Sequence, residues 1–259
     1  VFLDKKTLGD EIDLDSFSKY GEVMFFEKTS TSETLERVKD ATIVVTNKVV
    51  IDKHIIDNSN IKLICVAATG MNNIDLEYAK ANSIVVKNVS GYSTASVVQL
   101  TLSFVLRFVQ KINFYDNYGK YDWKYSSLFT NHSRPFYELD KKKWGIIGLG
   151  DIGKSVAKVA TAFGCEVQYF STSGKNNNSL YTQLPLKKLL ETSDITSIHS
   201  PLNDQTLNLI NKTNIKYLKK GSILLNLARG GIVNESDISE AIDNNEDIYY
   251  GCLLYTSDA

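Results

Sequence analysis

Three observations predict an α/β fold with two parallel-sheet domains. Apolar runs of strand length alternate with amphipathic stretches along the 259-residue chain, as expected for strands buried on both faces with helices between them. A glycine loop, Gly148-Leu149-Gly150-Asp151-Ile152-Gly153, stands between one such run and an amphipathic stretch. A long apolar segment near the middle separates two series of alternating elements.

In chain order, Val1 to Leu3 reads as a strand entered part-way, and Ser32 is placed to cap a helix carrying Leu35 and Val38. Residues 42–46 are β-branched and read as a buried strand, and residues 61–67 read as another, ending at Thr69-Gly70. Asp75 is a helix N-cap for a short helix to Ala81, and Ile84 to Val86 is a further strand. These elements make residues 1–94 a flavodoxin-like domain. The run from Ala95 to Ile112 is apolar nearly all round, so a helix buried on both sides is expected. Residues 113–139 are polar and aromatic without a clear period and are expected to wrap the surface. Strands follow at Trp144–Ile147, Val167–Phe170, Ile195–Ile198, Ile223–Leu227 and Ile248–Leu254, with helices between them. Gly164 is placed to end the helix that follows the glycine loop. The second domain therefore spans residues 95–259.

Hydrophobic residues make up 43% and charged residues 23% of the chain, with a formal net charge of −1. That balance provides no global field for nucleic acid or for an anionic membrane. Cys65, Cys165 and Cys252 are far apart in sequence, without metal-ligand spacing, and read as small core residues of a reducing compartment. No apolar run approaches the roughly 20 residues of a membrane span. The sequence opens on Val1-Phe2-Leu3 with no basic leader, so a cytoplasmic location is expected.

The glycine loop has G-x-G-x-x-G spacing, and each glycine has a task. Gly148 allows the tight turn from strand to helix, Gly150 lets backbone approach a pyrophosphate, and Gly153 lets helix pack close to strand. The first amides of the helix then face the anion, aided by the helix dipole. Strand before and helix after, with Ile152, Val156, Val159, Ala160 and Phe163 on one face, make this a Rossmann dinucleotide site. An acidic residue should end the next strand, to bind the adenosine ribose hydroxyls. Here the strand runs into Ser171-Thr172-Ser173-Gly174-Lys175. No carboxylate repels a 2′-phosphate, so NADP stands beside NAD as an alternative, with Ser171, Ser173 and Lys175 as its contacts. Lys175 reads equally well as a solvated loop charge.

Four further segments acquire meaning together: residues 67–76 with Ala68-Thr69-Gly70, residues 91–94, His199-Ser200-Pro201-Leu202, and residues 226–233 with Arg229. With the glycine loop they resemble the D-isomer-specific 2-hydroxyacid dehydrogenases, over nearly the whole chain to about Gly251. Residues 65–80 and 88–94 look most like the glycerate dehydrogenase (hydroxypyruvate reductase) branch. The resemblance implies two similar domains with the active site in the cleft between them, substrate bound by the first and NAD(P) by the second, and a cytoplasmic homodimer. It implies that Arg229 grips the carboxylate and carbonyl of a small 2-oxo acid, hydroxypyruvate or glyoxylate. A guanidinium suits both tasks, being bidentate and permanently charged. The Ala68-Thr69-Gly70 turn would offer amides to the same carboxylate. Thr69, Asp151, Ile152, His199, Ser200, Pro201, Leu227 and Ala228 would join Gly148, Gly150, Gly153 and Ser171 along the cofactor, with no metal involved.

The same resemblance implies a general acid/base histidine, oriented by a glutamate, C-terminal to Arg229. No histidine follows Arg229, and residues 252–259 depart from the family pattern. A C-terminally incomplete second domain with a non-native tail is therefore expected, binding cofactor but catalysing poorly. His199 reads as a cofactor-loop residue rather than that base, and His54 and His132 as surface residues. A dinucleotide-binding corepressor-like module and an inactive fragment stand as alternatives.

Overall fold

Residues 1–244 and 248–253 are described by a computed structural model. The chain divides into two compact units, Val1–Ser93 and Thr94–Ala259. The division falls one residue before the expected boundary because Thr94 already belongs to the helix that opens the second unit.

In the first unit, α1 (Thr31–Val38) begins at Ser30, which corrects the expected cap at Ser32. Ser30 stands three residues before Glu33, the spacing a capping box needs. The Ser30 amide donates to the Glu33 carboxylate at 2.9 Å and the Ser30 hydroxyl at 2.6 Å. Then follow β1 (Ile43–Thr46), the one-turn helix α2 (Lys53–Asp57), β2 (Leu63–Val66), α3 (Leu76–Ala81) and β3 (Val85–Asn88). Asp75 caps α3 as expected, accepting from the Tyr78 amide at 3.0 Å. The three strands form a parallel sheet in the order β1-β2-β3, with Ile43 beside Leu63 and Leu63 beside Val85. Leu3, Val38, Val44, Ile64 and Ala79 are its buried centre.

The expected strand at Val1 to Leu3 is reduced to parallel bridges from Phe2 to Phe25 and Val45. The Lys5 amide carries the pairing on to Phe26 O at 2.9 Å, past Asp4. The buried Asp4 carboxylate turns to the loop after β1 and accepts from the Asn47 and Lys48 amides at 2.9 and 2.6 Å.

The second unit opens with α4 (Thr94–Val109) and α5 (Ile112–Asn117). The expected single helix to Ile112 is interrupted at Lys111, which has a left-handed backbone (φ 52°). The expectation of burial on both sides is also corrected. Only Val97, Thr101 and Val105, one stripe at four-residue spacing, are buried in α4. Val98, Leu100, Leu102, Phe104, Leu106 and Phe108 remain partly exposed. The helix packs on the helix of the glycine loop and, through Phe104 and Phe108, on Gly251 and Tyr249, so the residues flanking the buried stripe are half-covered rather than fully buried. The segment after α5 stays in helical turns as far as Tyr125 and then runs irregularly to the sheet.

That sheet is built from β4 (Lys143–Ile147), α6 (Asp151–Ala162), β5 (Glu166–Phe170), β6 (Thr182–Gln183), α7 (Leu186–Thr192), β7 (Ile195–Ile198), β8 (Ile223–Asn226), α8 (Glu235–Asp243) and β9 (Tyr249–Cys252). All six strands are parallel, in the order β6-β5-β4-β7-β8-β9. The chain winds outward from β4 through β5 to β6, then returns to β7 and winds the other way. The switch between β4 and β7 is where open sheets of this type bind ligands, outside the carboxyl ends of the strands. All four residues of both β7 and β8 are buried, as a parallel sheet covered on both faces requires. Leu254, the expected end of the last strand, lies outside the described residues.

Candidate functional site

The carboxyl edge of the six-stranded sheet carries the expected residues of the second unit. The Gly148 amide donates to Phe170 O at 3.0 Å and the His199 amide to Ile147 O at 2.8 Å. The ends of β4, β5 and β7 are thereby stitched together just where the strands stop. Gly148 has φ +90°, and a Cβ there would lie 2.8 Å from the Ser200 nitrogen. Both the turn and the neighbouring strand end thus demand glycine. A Cβ on Gly153 would fall 2.2 Å from Gly148 O, so α6 rests directly on the turn. A Cβ on Gly150 would meet nothing within 4 Å. Its side of the loop is open, as the approach of a ligand to backbone requires. Gly150 caps α6, and the Asp151, Ile152 and Gly153 amides are the donors a helix start leaves without intrahelical acceptors. Asp151 is exposed in that first turn and Ile152 half-buried.

Around this loop lie buried polar atoms without partners among the described residues. They are Ser171 Oγ after β5, and His199 Nδ1 and Ser200 Oγ after β7. Buried polar groups are otherwise satisfied in folded proteins. Three orphans at one sheet edge beside an open glycine loop fit a polar ligand such as a dinucleotide. Desolvation pushes the His199 imidazole down to about 3, so the ring is neutral at physiological pH and is not an acid. Exposed Pro201 begins the next loop, which is closed by Thr206. The buried Thr206 hydroxyl donates to Pro201 O at 2.6 Å and accepts from the Asn203 amide at 2.8 Å.

Beyond β8, Leu227 is buried and Ala228 and Arg229 half-buried. Asn226, 1% exposed, holds their turn from below. Its amide nitrogen donates to Arg229 O at 2.8 Å and its oxygen accepts from the Ala228 amide at 3.3 Å. The guanidinium bonds the Ala228 carbonyl at 2.8 Å and meets no carboxylate among the described residues. It is a cation with donors left for an anion.

In the first unit, Ala68-Thr69-Gly70 leaves the carboxyl end of β2. Thr69 Oγ1 donates to Val89 O at 3.1 Å and Asn88 Nδ2 donates to Thr69 O at 2.7 Å. These bonds fix the turn and leave the Thr69 and Gly70 amides without acceptors among the described residues. The expected triplet is therefore a rigid pair of free donors.

His54 and His132 contact only neighbouring polar groups at the surface. Among the described residues no group of three or more metal-ligating side chains exists. The three cysteines form no disulfide with one another, and burial raises Cys165 to about 11 and raises Cys65, leaving both thiols protonated. Sequence reading missed Asn226, Thr206 and the Trp144–Ser197 pair beneath His199. A polar residue inside an otherwise apolar strand was the available signal for Ser197 and Asn226.

Comparison with known proteins gives the family. The family model for the D-isomer specific 2-hydroxyacid dehydrogenase NAD binding domain matches residues 102–252. A hydroxypyruvate reductase of Blautia hydrogenotrophica is 33% identical, the match covering 91% of this chain and 76% of that protein. A glycerate dehydrogenase of Methylorubrum extorquens is likewise 33% identical, over 93% of this chain and 76% of the relative. Among solved structures, the acyclic imino acid reductase Bsp5 in complex with NADPH and D-Arg superposes with a TM-score of 0.83 at 26% identity, covering 95% of this chain and 80% of that one. The chain belongs to the D-isomer specific 2-hydroxyacid dehydrogenases, NAD-dependent oxidoreductases of small 2-hydroxy and 2-oxo acids.

Proposed function

We propose that this chain reduces hydroxypyruvate or glyoxylate, with Arg229 as the residue that binds and polarises the oxo acid. The observation that carries this reading is the unpaired guanidinium at the carboxyl edge of β8, in the same sheet as the open glycine loop. Bound nicotinamide would supply the hydride, and solvent water the proton that the resulting alkoxide takes up. Arg229 supplies two donors to a planar carboxylate and keeps positive charge beside the carbonyl oxygen as that oxygen becomes negative. The Thr69 and Gly70 amides of the first unit are donors of the kind a carboxylate accepts from. The Gly148–Gly153 loop and the first amides of α6 hold the pyrophosphate, while Asp151, Ile152, Ser171, His199, Ser200, Pro201, Leu227 and Ala228 line the rest of the dinucleotide.

NADPH enters this reading beside NADH. Ser171 Oγ is buried and partnerless where family members that select NAD carry a carboxylate, and Lys175 is exposed four residues on. Neither residue repels a 2′-phosphate, and the superposable imino acid reductase was solved with NADPH.

The reading is tested by titrating NADH and NADPH into the protein by fluorescence, then following NADH oxidation with hydroxypyruvate, glyoxylate and pyruvate in turn. Saturable binding of both cofactors and oxidation that depends on hydroxypyruvate or glyoxylate are expected. Absence of cofactor binding overturns the reading.

Self-association also belongs to it. The partly exposed apolar side of α4 is followed along the chain by Tyr121, Tyr125, Leu128 and Phe129, each more than half exposed. An aromatic-rich surface of this kind is suited to a second copy of the chain. Sedimentation analysis is expected to give a dimer that Phe129→Glu weakens.

A further inference from the structure

We propose that Trp144 and Ser197 lock His199 in its Nδ1–H tautomer, making the ring a fixed hydrogen-bond donor beside the glycine loop. The claim that this donor serves the cofactor rests on the function proposed above; the lock does not. The argument follows the hydrogens. An indole nitrogen only donates, so Trp144 Nε1, at 2.9 Å, gives its hydrogen to Ser197 Oγ. The Ser197 hydroxyl must direct its own hydrogen elsewhere. Ser197 is fully buried, and its one other neighbour within bonding distance is His199 Nε2 at 3.0 Å. Nε2 therefore accepts, and a neutral imidazole that accepts at Nε2 carries its proton on Nδ1.

Strand geometry supports the relay. Ser197 and His199 are two residues apart along one extended segment, so both side chains leave the same face. Trp144 pairs with Ile195, which sets Ser197 at the diagonal position on that face. The backbone of His199 is pinned as well, its amide bonding Ile147 O at 2.8 Å. The proton-bearing nitrogen is the one without a partner among the described residues. It stands one residue from Ser200, whose backbone abuts Gly148. A donor held there with no acceptor calls for an oxygen acceptor, and a phosphate or ribose oxygen of the dinucleotide is of the right chemistry. The ring stays neutral, as its desolvation requires, so it binds as a dipole and neither gives nor takes a proton. Trp144 and Ser197 are thus positioning residues.

The chain has three histidines, so long-range proton–nitrogen correlation spectra of protein labelled with nitrogen-15 histidine can be assigned by replacing His54 and His132. For the cofactor-free protein, His199 is expected to show a protonated Nδ1 and an unprotonated Nε2. Ser197→Ala is expected to give a tautomer mixture and a roughly 3- to 10-fold weaker NADH dissociation constant, the range for one lost neutral hydrogen bond. Ser197→Thr, which keeps the hydroxyl, is expected to restore both. Trp144→Phe is expected to produce the mixture while Ser197 remains. An Nε2–H tautomer in the unaltered protein overturns the proposal, as does an unchanged tautomer in Ser197→Ala. A tautomer that changes while NADH affinity does not overturns the role toward the cofactor. Failure of the unaltered protein to bind NADH, with its Nδ1–H tautomer intact, overturns the function proposed above and leaves the lock standing.

Discussion

The position a Cβ would take on Gly153 lies 2.2 Å from the carbonyl oxygen of Gly148. Two glycines of one loop are therefore linked sterically: the turn that Gly148 makes is the surface on which α6 sits. Because the obstructing atom belongs to backbone, no rotamer change relieves it. Gly153→Ala is expected to push α6 from β4 and destabilise the protein by about 1–3 kcal/mol, as overpacking does. NADH affinity should fall with it, since the helix amides move. Gly150→Ala, where a Cβ meets nothing within 4 Å, should leave stability within about 1 kcal/mol and still weaken NADH binding. Urea denaturation with NADH titration separates the two, and equal stability losses would contradict the assignment of roles.

Arg229 depends on Asn226. The amide side chain ties Arg229 O and the Ala228 N–H into one turn. Asn226→Ala leaves that buried pair unsatisfied, a cost of about 1–3 kcal/mol. Its expected kinetic signature is a raised KM for the oxo acid with little change in the NADH dissociation constant. Arg229→Lys keeps the charge but loses the fork, and kcat/KM for hydroxypyruvate should drop about 100-fold or more. Equal activity of Arg229→Lys would remove Arg229 from the substrate.

Lys175 is the residue proposed to favour NADPH. It is exposed in the loop after β5, so replacing it does not disturb packing. Lys175→Glu should weaken NADPH binding by about 3-fold or more, the scale of one exposed charge interaction, and leave NADH unchanged. The ratio of the two dissociation constants reads this directly, and equal effects on both would detach Lys175 from the 2′-phosphate.

Asp194 sits at the opposite, amino-terminal edge of the sheet. Its carboxylate receives the Lys143 amide at 2.9 Å and a close bond from the Lys219 ammonium. Burial works to raise its pKa, but the Lys219 and Lys143 hydrogen bonds outweigh burial and hold it below the ordinary carboxylate value. A group with a depressed folded pKa adds stability above its unfolded value, about 3.9, and that stability is lost as pH falls through the lower folded value. Asp194→Asn should therefore cost about 1 kcal/mol near neutral pH, discounted for solvent screening at a partly exposed site. The difference from the unaltered protein should vanish once the pH falls below the lowered folded value. Thermal unfolding across the acid range measures this, and a constant difference at every pH would refute the ionic origin.

Local pattern made much of this protein legible. Strands at 143–147, 166–170, 195–198 and 223–226 lie within a residue or two of where apolar runs begin and end, because a parallel sheet covered on both faces requires continuous apolar strands. Ser30 was misread as Ser32 because serines at 30 and 32 flank the same helix start, and only the reach of Glu33 distinguishes them. Apolar composition along 94–109 suggests cover all round, whereas the residues beside the buried stripe are packed against the core on part of their surface only. The role of Ser197 is not legible locally, since its partners Trp144 and His199 lie on another strand and beyond its own strand's end.

The sequence by itself determined the glycine spacing, the run of strands, the lone arginine after β8 and the missing carboxylate at Ser171. Each is written in consecutive residues and obeys steric or periodic rules that act within a few residues. Only the tertiary structure decided which strand ends meet, which buried atoms of Ser171, His199 and Ser200 go unsatisfied, and that Asn226 holds Arg229. It was decisive at the glycine loop as well. The spacing named a dinucleotide turn, whereas the meeting of β4, β5 and β7 showed what surrounds it. Strand order and hydrogen-bond partnership join residues far apart in sequence, 53 positions in the case of Trp144 and Ser197. No local rule carries that information.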